Sequence, residues 1–204
     1  MLFEDTYFTI KEPSEGLFKD RGSKFLGLAF PVSSEEEIKK HLADLKKLHP
    51  GANHHCYAFR LGADKQAYRA NDDGEPSNTA GKPILGQIQS KDLTNILIVV
   101  VRYFGGTLLG VSGLINAYKL AALDAINNAQ ITEKTVNDFY SIRFDYVHMN
   151  EVMKIIKDQE LKIESQNSEL TCSITFSVRK SNSTAIYDRM SKIEGLEIKY
   201  IKTI

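Results

Sequence analysis

The residues best equipped for chemistry lie between Asn95 and Gly113, NILIVVVRYFGGTLLGVSG. Arg102, Tyr103 and Phe104 offer a guanidinium, a phenol and an aromatic face in succession, and Gly105, Gly106, Gly110 and Gly113 follow at once. Glycine reaches positive φ without steric cost and lets a ligand or a second backbone come close. A glycine turn ahead of a helix leaves free N–H groups at the positive end of the helix dipole. That arrangement suits phosphate or carboxylate, and Arg102 would add a bidentate contact. The same glycines fit a purely structural reading, a sharp strand-to-helix turn with tight packing, and the two readings weigh about evenly. The run has neither the Gly-Lys-Ser/Thr ending of a P-loop nor the dinucleotide fingerprint.

A second group of polar residues occupies the loop from Arg69 to Pro83, RANDDGEPSNTAGKP. Asp72, Asp73 and Glu75 are hard oxygen donors that would hold a metal or move protons, and Lys82 supplies a point charge. Their spacing does not match a calcium loop, and a solvated or capping loop fits the composition better. His54 and His55 alternate on a strand, so they point to opposite faces and do not ligate one metal together. Cys56 beside His55 is no nucleophile–base pair for the same reason; such a cysteine is usually a small buried hydrophobe. No serine stands in a G-x-S-x-G turn. No catalytic residue, metal site or cofactor is therefore assigned.

Composition narrows the classes. A chain of 204 residues fits one large or two small domains. Its 26 basic and 26 acidic side chains cancel, which counts against simple electrostatic nucleic-acid binding. Cys56 and Cys172 fit no zinc spacing or disulfide framework and suit a reducing compartment. The start, MLFEDTYFTI, carries no secretory pattern, and no apolar run approaches the roughly 18 residues of a membrane span. The expected location is cytoplasmic, with no membrane partner.

The elements that must position these residues follow from periodicity. Ile96 to Val101 reads as a strand buried on both faces. Tyr7 to Ile10, Lys24 to Val32, His54 to Leu61 and Lys65 to Arg69 are further strands. Ser34 and Glu37 form a capping box for a helix with Ile38, Leu42, Leu45 and Leu48 as its stripe, ended by His49-Pro50-Gly51. Thr79 caps a helix running through Gln89. A third helix, Ser112 to Asn128, shows Ile115, Tyr118, Ala122, Leu123 and Ile126 at helical spacing. From Asp138 the texture changes. Strand-like Phe139–Val147, helical Asn150–Gln159, a short strand Leu161–Glu164, a turn at Gln166–Ser168, an alternating strand Leu170–Val178, a helix Ser183–Ile193 and a strand Leu196–Ile201 give β-α-β-β-α-β, the ferredoxin-like order. The boundary is placed near Ile131 to Asn137, dividing the chain into 1–134 and 135–204.

Four blocks carry a resemblance. Arg102-Tyr103-Phe104-Gly105-Gly106-Thr107-Leu108-Leu109-Gly110 is similar to the signature of the IMPACT family, of its bacterial YigZ/YvyE type. Asp72 through Pro83, Arg21-Gly22-Ser23-Lys24-Phe25 and His54-His55-Cys56-Tyr57-Ala58 resemble three further family blocks, with Asn78 standing where glycine is expected. The resemblance implies an α+β chain of two domains. The first would have a left-handed crossover, similar to a ribosomal-protein domain fold shared with domain IV of elongation factor G. The second would be ferredoxin-like, similar to domain V of that factor. The resemblance also implies a link to translation, since eukaryotic members act on translational control by competing for a partner of an initiation-factor kinase.

Three functions compete. The first is a translation- or stress-linked regulator that binds RNA, the ribosome or a ribosome-associated protein, as a monomer or weak homo-oligomer. Its contacts would come from Arg102, Tyr103, Phe104, Gly105, Gly106, Asp72, Asp73, Glu75 and Lys82. The second is a small-ligand enzyme, a hydrolase or phosphate-handling protein, using the acidic loop and the glycine turn. The third is an interaction scaffold. The Asp72–Lys82 loop is expected to lie beside the Arg102–Gly110 turn, forming the one cleft that the first two share. Arg102 either sends its head into that cleft or pairs with a loop carboxylate such as Asp73, and Asp72 and Asp73 are expected to contribute little to folding.

Overall fold

The computed structural model describes residues 5–168 and 171–204, the side chain of Ser168 apart. It divides into two compact units. One spans Tyr7–Lys134; the other holds Thr135–Ile204 together with residues 5–6. Asp5 belongs to the smaller unit through its carbonyl, which accepts from Val136 N at 2.6 Å, and its carboxylate, which pairs with Arg179 Nε at 2.6 Å.

The larger unit runs β1 (Thr6–Ile10), β2 (Ser14–Asp20), β3 (Ser23–Pro31), α1 (Glu35–Leu48), β4 (His54–Leu61), β5 (Ala67–Asn71), α2 (Gly81–Ser90), β6 (Ile96–Tyr103), α3 (Gly110–Asn127) and β7 (Ile131–Thr135). Five strands form one antiparallel sheet in the order β2-β3-β6-β4-β5, and β1 pairs with β7. The apolar run Ile96–Val101 takes the middle place, where both faces are covered. Its even positions, with Phe25, Cys56 and Ala58, pack under α2 and α3. Its odd positions, Leu97, Val99 and Val101, pack with Ile38 and Leu45 of α1. Alternation along β6 thus feeds two cores at once.

The hairpin β2–β3 turns on Arg21 and Gly22, with φ of 44° and 78°. Two positive φ values in a two-residue loop are the type I′ pattern that matches strand twist. β2 has no counterpart among the expected strands. It is an edge strand with a largely polar sequence, SEGLFKD, and carries too weak an alternation to stand out.

Ser34 Oγ accepts from Glu37 N at 3.3 Å, as a capping box requires, while the Glu37 carboxylate returns to Ser33 N at 2.7 Å instead of Ser34. Leu48 is exposed at the helix end and lies off the stripe. The expected cap of α2 is corrected. Thr79 Oγ1 donates to Pro76 O at 2.6 Å, and the helix end is held by Asp72, whose carboxylate accepts from Asn78 N, Ala80 N and Gly81 N at 2.8–3.0 Å. A carboxylate reaching in from the loop satisfies amides that a local threonine leaves open.

The smaller unit contains β8 (Asn137–Asp145), α4 (Met149–Asp158), β9 (Lys162–Ser168), β10 (Thr171–Arg179), α5 (Ser183–Met190) and β11 (Glu197–Thr203), with the sheet order β11-β8-β10-β9. That is the βαββαβ ferredoxin-like arrangement. Tyr140, Ile142, Phe144, Ile174 and Phe176 face Val152, Ile155, Ile156, Ile186 and Met190 of the two helices. Gln166–Ser168 continue β9 rather than turn, because β10 carries the pairing out to Cys172↔Ser168. The start of the alternating strand at Leu170 lies outside the described residues. The whole is an α+β chain of two units.

Candidate functional site

The four sequence blocks converge at one end of the larger unit's sheet. Gly105 lies on the hairpin turn: a Cβ there would stand 1.9 Å from the carbonyl carbon of Gly22. Only glycine permits that approach. Gly105 N donates to Ser23 Oγ at 3.1 Å, and Phe104 N donates to Asn53 Oδ1 at 2.9 Å, so the chain leaving β6 is fixed from both sides. Gly106 and Gly110 adopt φ of 86° and 74°, and α3 begins without a side-chain cap.

Arg102 is 5% exposed. Its guanidinium lies between the rings of Phe25 and Phe104, 5.3 and 5.5 Å from their centroids, within cation–π range. Its Nη1 donates to Glu75 Oε1 at 2.5 Å. Tyr118, from the third turn of α3, donates its hydroxyl to the same oxygen at 2.7 Å. Both hydrogen bonds end on Oε1, none on Oε2, and Arg102 Nε is enclosed without a hydrogen-bond partner. His54 Nδ1 is 2.8 Å from Asp73 O. A carbonyl only accepts, so Nδ1 carries a proton. His54 Nε2 is 3.8 Å from Glu75 Oε1.

The buried Arg102 and Glu75 and the half-buried His54 floor a pocket of about 460 Å³. Its walls are Pro76, Phe104, Leu108, Leu109, Val111 and Leu114. Leu108 is 81% exposed, and Phe104 and Val111 are also exposed, so the rim is apolar and open. Burial pushes the hydroxyl of Tyr118 and the thiol of Cys56 far up, and Cys56 Sγ donates to Asp72 O at 3.0 Å. A thiol so held is protonated and inert as a nucleophile.

The structure brings Arg102, Phe104 and Glu75 into the pocket and places the Asp72–Lys82 loop beside the Arg102–Gly110 turn through the Arg102–Glu75 pair. The carboxylate that meets Arg102 is Glu75, where Asp73 was the expected partner. Asp73 instead accepts from His55 N at 2.7 Å and lies 3.9 Å from Lys46 Nζ. Tyr103 points to the opposite face, bonded to His49 Nδ1 at 2.8 Å, as strand alternation dictates. Gly105 and Gly106 shape the turn, Asp72 caps α2, and Lys82 is exposed on α2; none of these, nor Asp73, lines the pocket. Asp72, with three amide bonds, does more for folding than a solvated loop carboxylate.

Sequence reasoning left out His54, Tyr118, Leu108 and Leu109. Two signals were available: a tyrosine inside an otherwise apolar helix stripe, and leucines where a glycine-rich loop is normally polar. Among the described residues no three His, Cys, Asp or Glu side chains gather in a metal-ligating cluster, and no helix is long and apolar enough to cross a membrane.

Residues 21–126 match the family described as the Impact N-terminal domain. The chain is 33% identical to the IMPACT family member YvyE of Bacillus subtilis (strain 168), over 78% of this chain and 73% of that protein. It is 34% identical to the IMPACT family member YigZ of Escherichia coli (strain K12), over 69% of this chain and 70% of that protein. A crystal structure described as that of a hypothetical protein superposes with a TM-score of 0.75 at 25% identity, covering 98% of this chain and 99% of the other.

Proposed function

The chain belongs to the IMPACT family, and from that premise we propose that it is a cytoplasmic, translation-linked regulator that docks a ribosome-associated protein through the pocket beside α3. The observation that carries this reading is the chemistry of the pocket. Its rim is apolar and exposed, and its one cationic lining residue, Arg102, is already paired with Glu75. Phosphate backbones are gripped by unpaired lysines and arginines. An open apolar rim around a desolvated polar centre is instead the anatomy of a protein interface. The balanced charge of the chain agrees with this, and the family resemblance supplies the link to translation.

The small-ligand enzyme reading loses most of its proton carriers to structural work. Asp72 holds α2, Asp73 holds the start of β4, and the Cys56 thiol is shut away.

Co-sedimentation tests the proposal. The protein is expected to travel with unwashed ribosomes and to be lost from ribosomes stripped of associated proteins by high salt. Leu108→Glu, which puts a charge on the rim, is expected to abolish the association while leaving the fold intact. Equal binding to stripped ribosomes or to bare RNA, falling steeply with salt, would overturn the reading in favour of nucleic acid. An unaffected Leu108→Glu variant would remove the pocket from it.

A further inference from the structure

The tip of the β2–β3 hairpin combines two choices that work against local stability. Arg21 takes the first turn position with φ of 44°. A type I′ turn favours asparagine, aspartate or glycine there over a long side chain. Lys19 stands directly opposite Lys24. Asp20↔Ser23 closes the two-residue turn as the hydrogen-bonded pair, so Lys19↔Lys24 is the closer, non-bonded pair next to it, with Cα atoms roughly 4.5 Å apart. Like charges so placed repel. All three cations are exposed, and among the described residues none forms an ion pair with a carboxylate. Asp20, one residue on, points to the opposite face of the strand. The tip also adjoins the pocket: Gly105, next to the rim residue Phe104, packs on Gly22. Unfavourable backbone placements of this kind persist where a site uses them.

We propose that this tip binds an acidic segment of the partner protein, with two or more carboxylates beside the residues that enter the pocket. This rests on the docking reading above and adds the chemistry of the partner. Charge complementarity selects the occupant, since three unpaired cations stand within the six residues Lys19 to Lys24 of a chain whose total charge is zero. Arg21 offers a planar fork to one carboxylate, and the two lysines offer point charges to others. The cationic run is only one pair deep. On the Lys19 and Lys24 face the next pair is Leu17↔Leu26, and Leu17 is exposed. A nucleic-acid backbone is followed by a row of cations, each neutralising a phosphate. Here it would run on to leucines and the apolar pocket rim. A short acidic cluster flanked by apolar residues matches all of these surfaces. A second copy presenting the same tip would set cation against cation. Charged groups at the margin of an apolar interface steer the approach and fix the register.

The full chain, labelled with ¹⁵N, is titrated with hexaglutamate, hexauridylate and inorganic phosphate at matched ionic strength. Hexaglutamate is expected to shift the amides of Lys19 to Lys24 and of Gly105, and to bind more tightly than the other two. Lys19→Ser combined with Lys24→Ser removes two of the three cations and is expected to weaken that binding about tenfold. The melting temperature of the double variant is expected to stay level or rise, because a repulsive pair has gone, so lost binding is not lost folding. Tighter binding of hexauridylate at the same amides would give the tip to nucleic acid, and tighter binding of phosphate would make it a simple anion site; either result overturns the proposal. So would shifts confined to other surfaces, unchanged hexaglutamate affinity in the double variant, or a clear fall in its melting temperature, which would make the lysines structural. If the hexaglutamate series fails while Leu108→Glu still releases the protein from unwashed ribosomes, the docking reading stands and the acidic segment does not.

Discussion

Replacing Arg102 by methionine isolates the energetics of the site. Methionine keeps most of the length and apolar contact of the stem while removing the guanidinium. Glu75, whose side chain is 4% exposed, would be left charged and buried with one remaining donor, the Tyr118 hydroxyl. Breaking a buried pair by removing one partner costs about 3–5 kcal/mol, because the surviving charge is uncompensated. The loss of cation–π contact with Phe25 and Phe104 adds to this. With a urea slope of roughly 2 kcal/mol/M, the unfolding midpoint should fall by about 2 M. Amide signals of β6 followed through a urea titration read the larger unit directly. Arg102→Lys keeps charge but not the planar fork, so it should fall between wild type and Arg102→Met. Combining Arg102→Met with Glu75→Leu and Tyr118→Phe removes the stranded charge and its last donor together, and should recover most of the loss. If Arg102→Met costs less than about 1 kcal/mol at unchanged slope, or if the combined variant is no better than the single one, the buried pair is not what holds this end of the sheet.

Three further outcomes follow from the same structure. Asp72→Ala should destabilise the larger unit by about 1–2 kcal/mol, with hydrogen exchange rising at Ala80 and Gly81, since three amides at the start of α2 lose their acceptor; exchange unchanged there would refute the capping role. Gly27→Ala would place a Cβ 2.3 Å from the carbonyl oxygen of Ala121, and the overpacking should cost about 1–3 kcal/mol or more in a thermal melt, whereas Gly86→Ala, inside α2 with nothing within 4 Å, should gain about 0.5–1 kcal/mol from helix propensity. Burial holds the pKa of His55 below its ordinary value, so the folded state binds the proton less well than the unfolded chain. Stability should therefore be full above about pH 6.5 and decline as the pH falls from there through the lowered folded value, and His55→Gln should flatten that decline in urea titrations between pH 5 and 7.

How much of this was legible in the sequence depends on whether the relevant interaction is local. Ile96–Val101 announced a strand covered on both sides, and it took the centre of the sheet, where a continuous apolar run rich in β-branched residues buries both of its faces. Alternation put His54 and His55 on opposite faces, and the structure separates them accordingly: His54 at the pocket, His55 towards Leu45 and Asp73. The same rule, applied one strand over, would have split Arg102 from Tyr103; treating the triplet as one surface overlooked that both still lie within β6. What could not be read were the bonds that span long stretches of chain. Asp72 caps a helix eight and nine residues ahead, and Tyr118 meets Glu75 across 43 residues. Nothing in composition distinguishes a carboxylate that caps from one that pairs in the interior or one that is solvated. The difference is made by the sheet, which carries Arg102 and Phe25 to one spot and thereby decides which of three loop acids must be buried. That is why Glu75, not Asp73, meets the arginine: the Asp73 carboxylate is anchored to His55 N on β4, and the next acid in line is the one the fold delivers to the guanidinium.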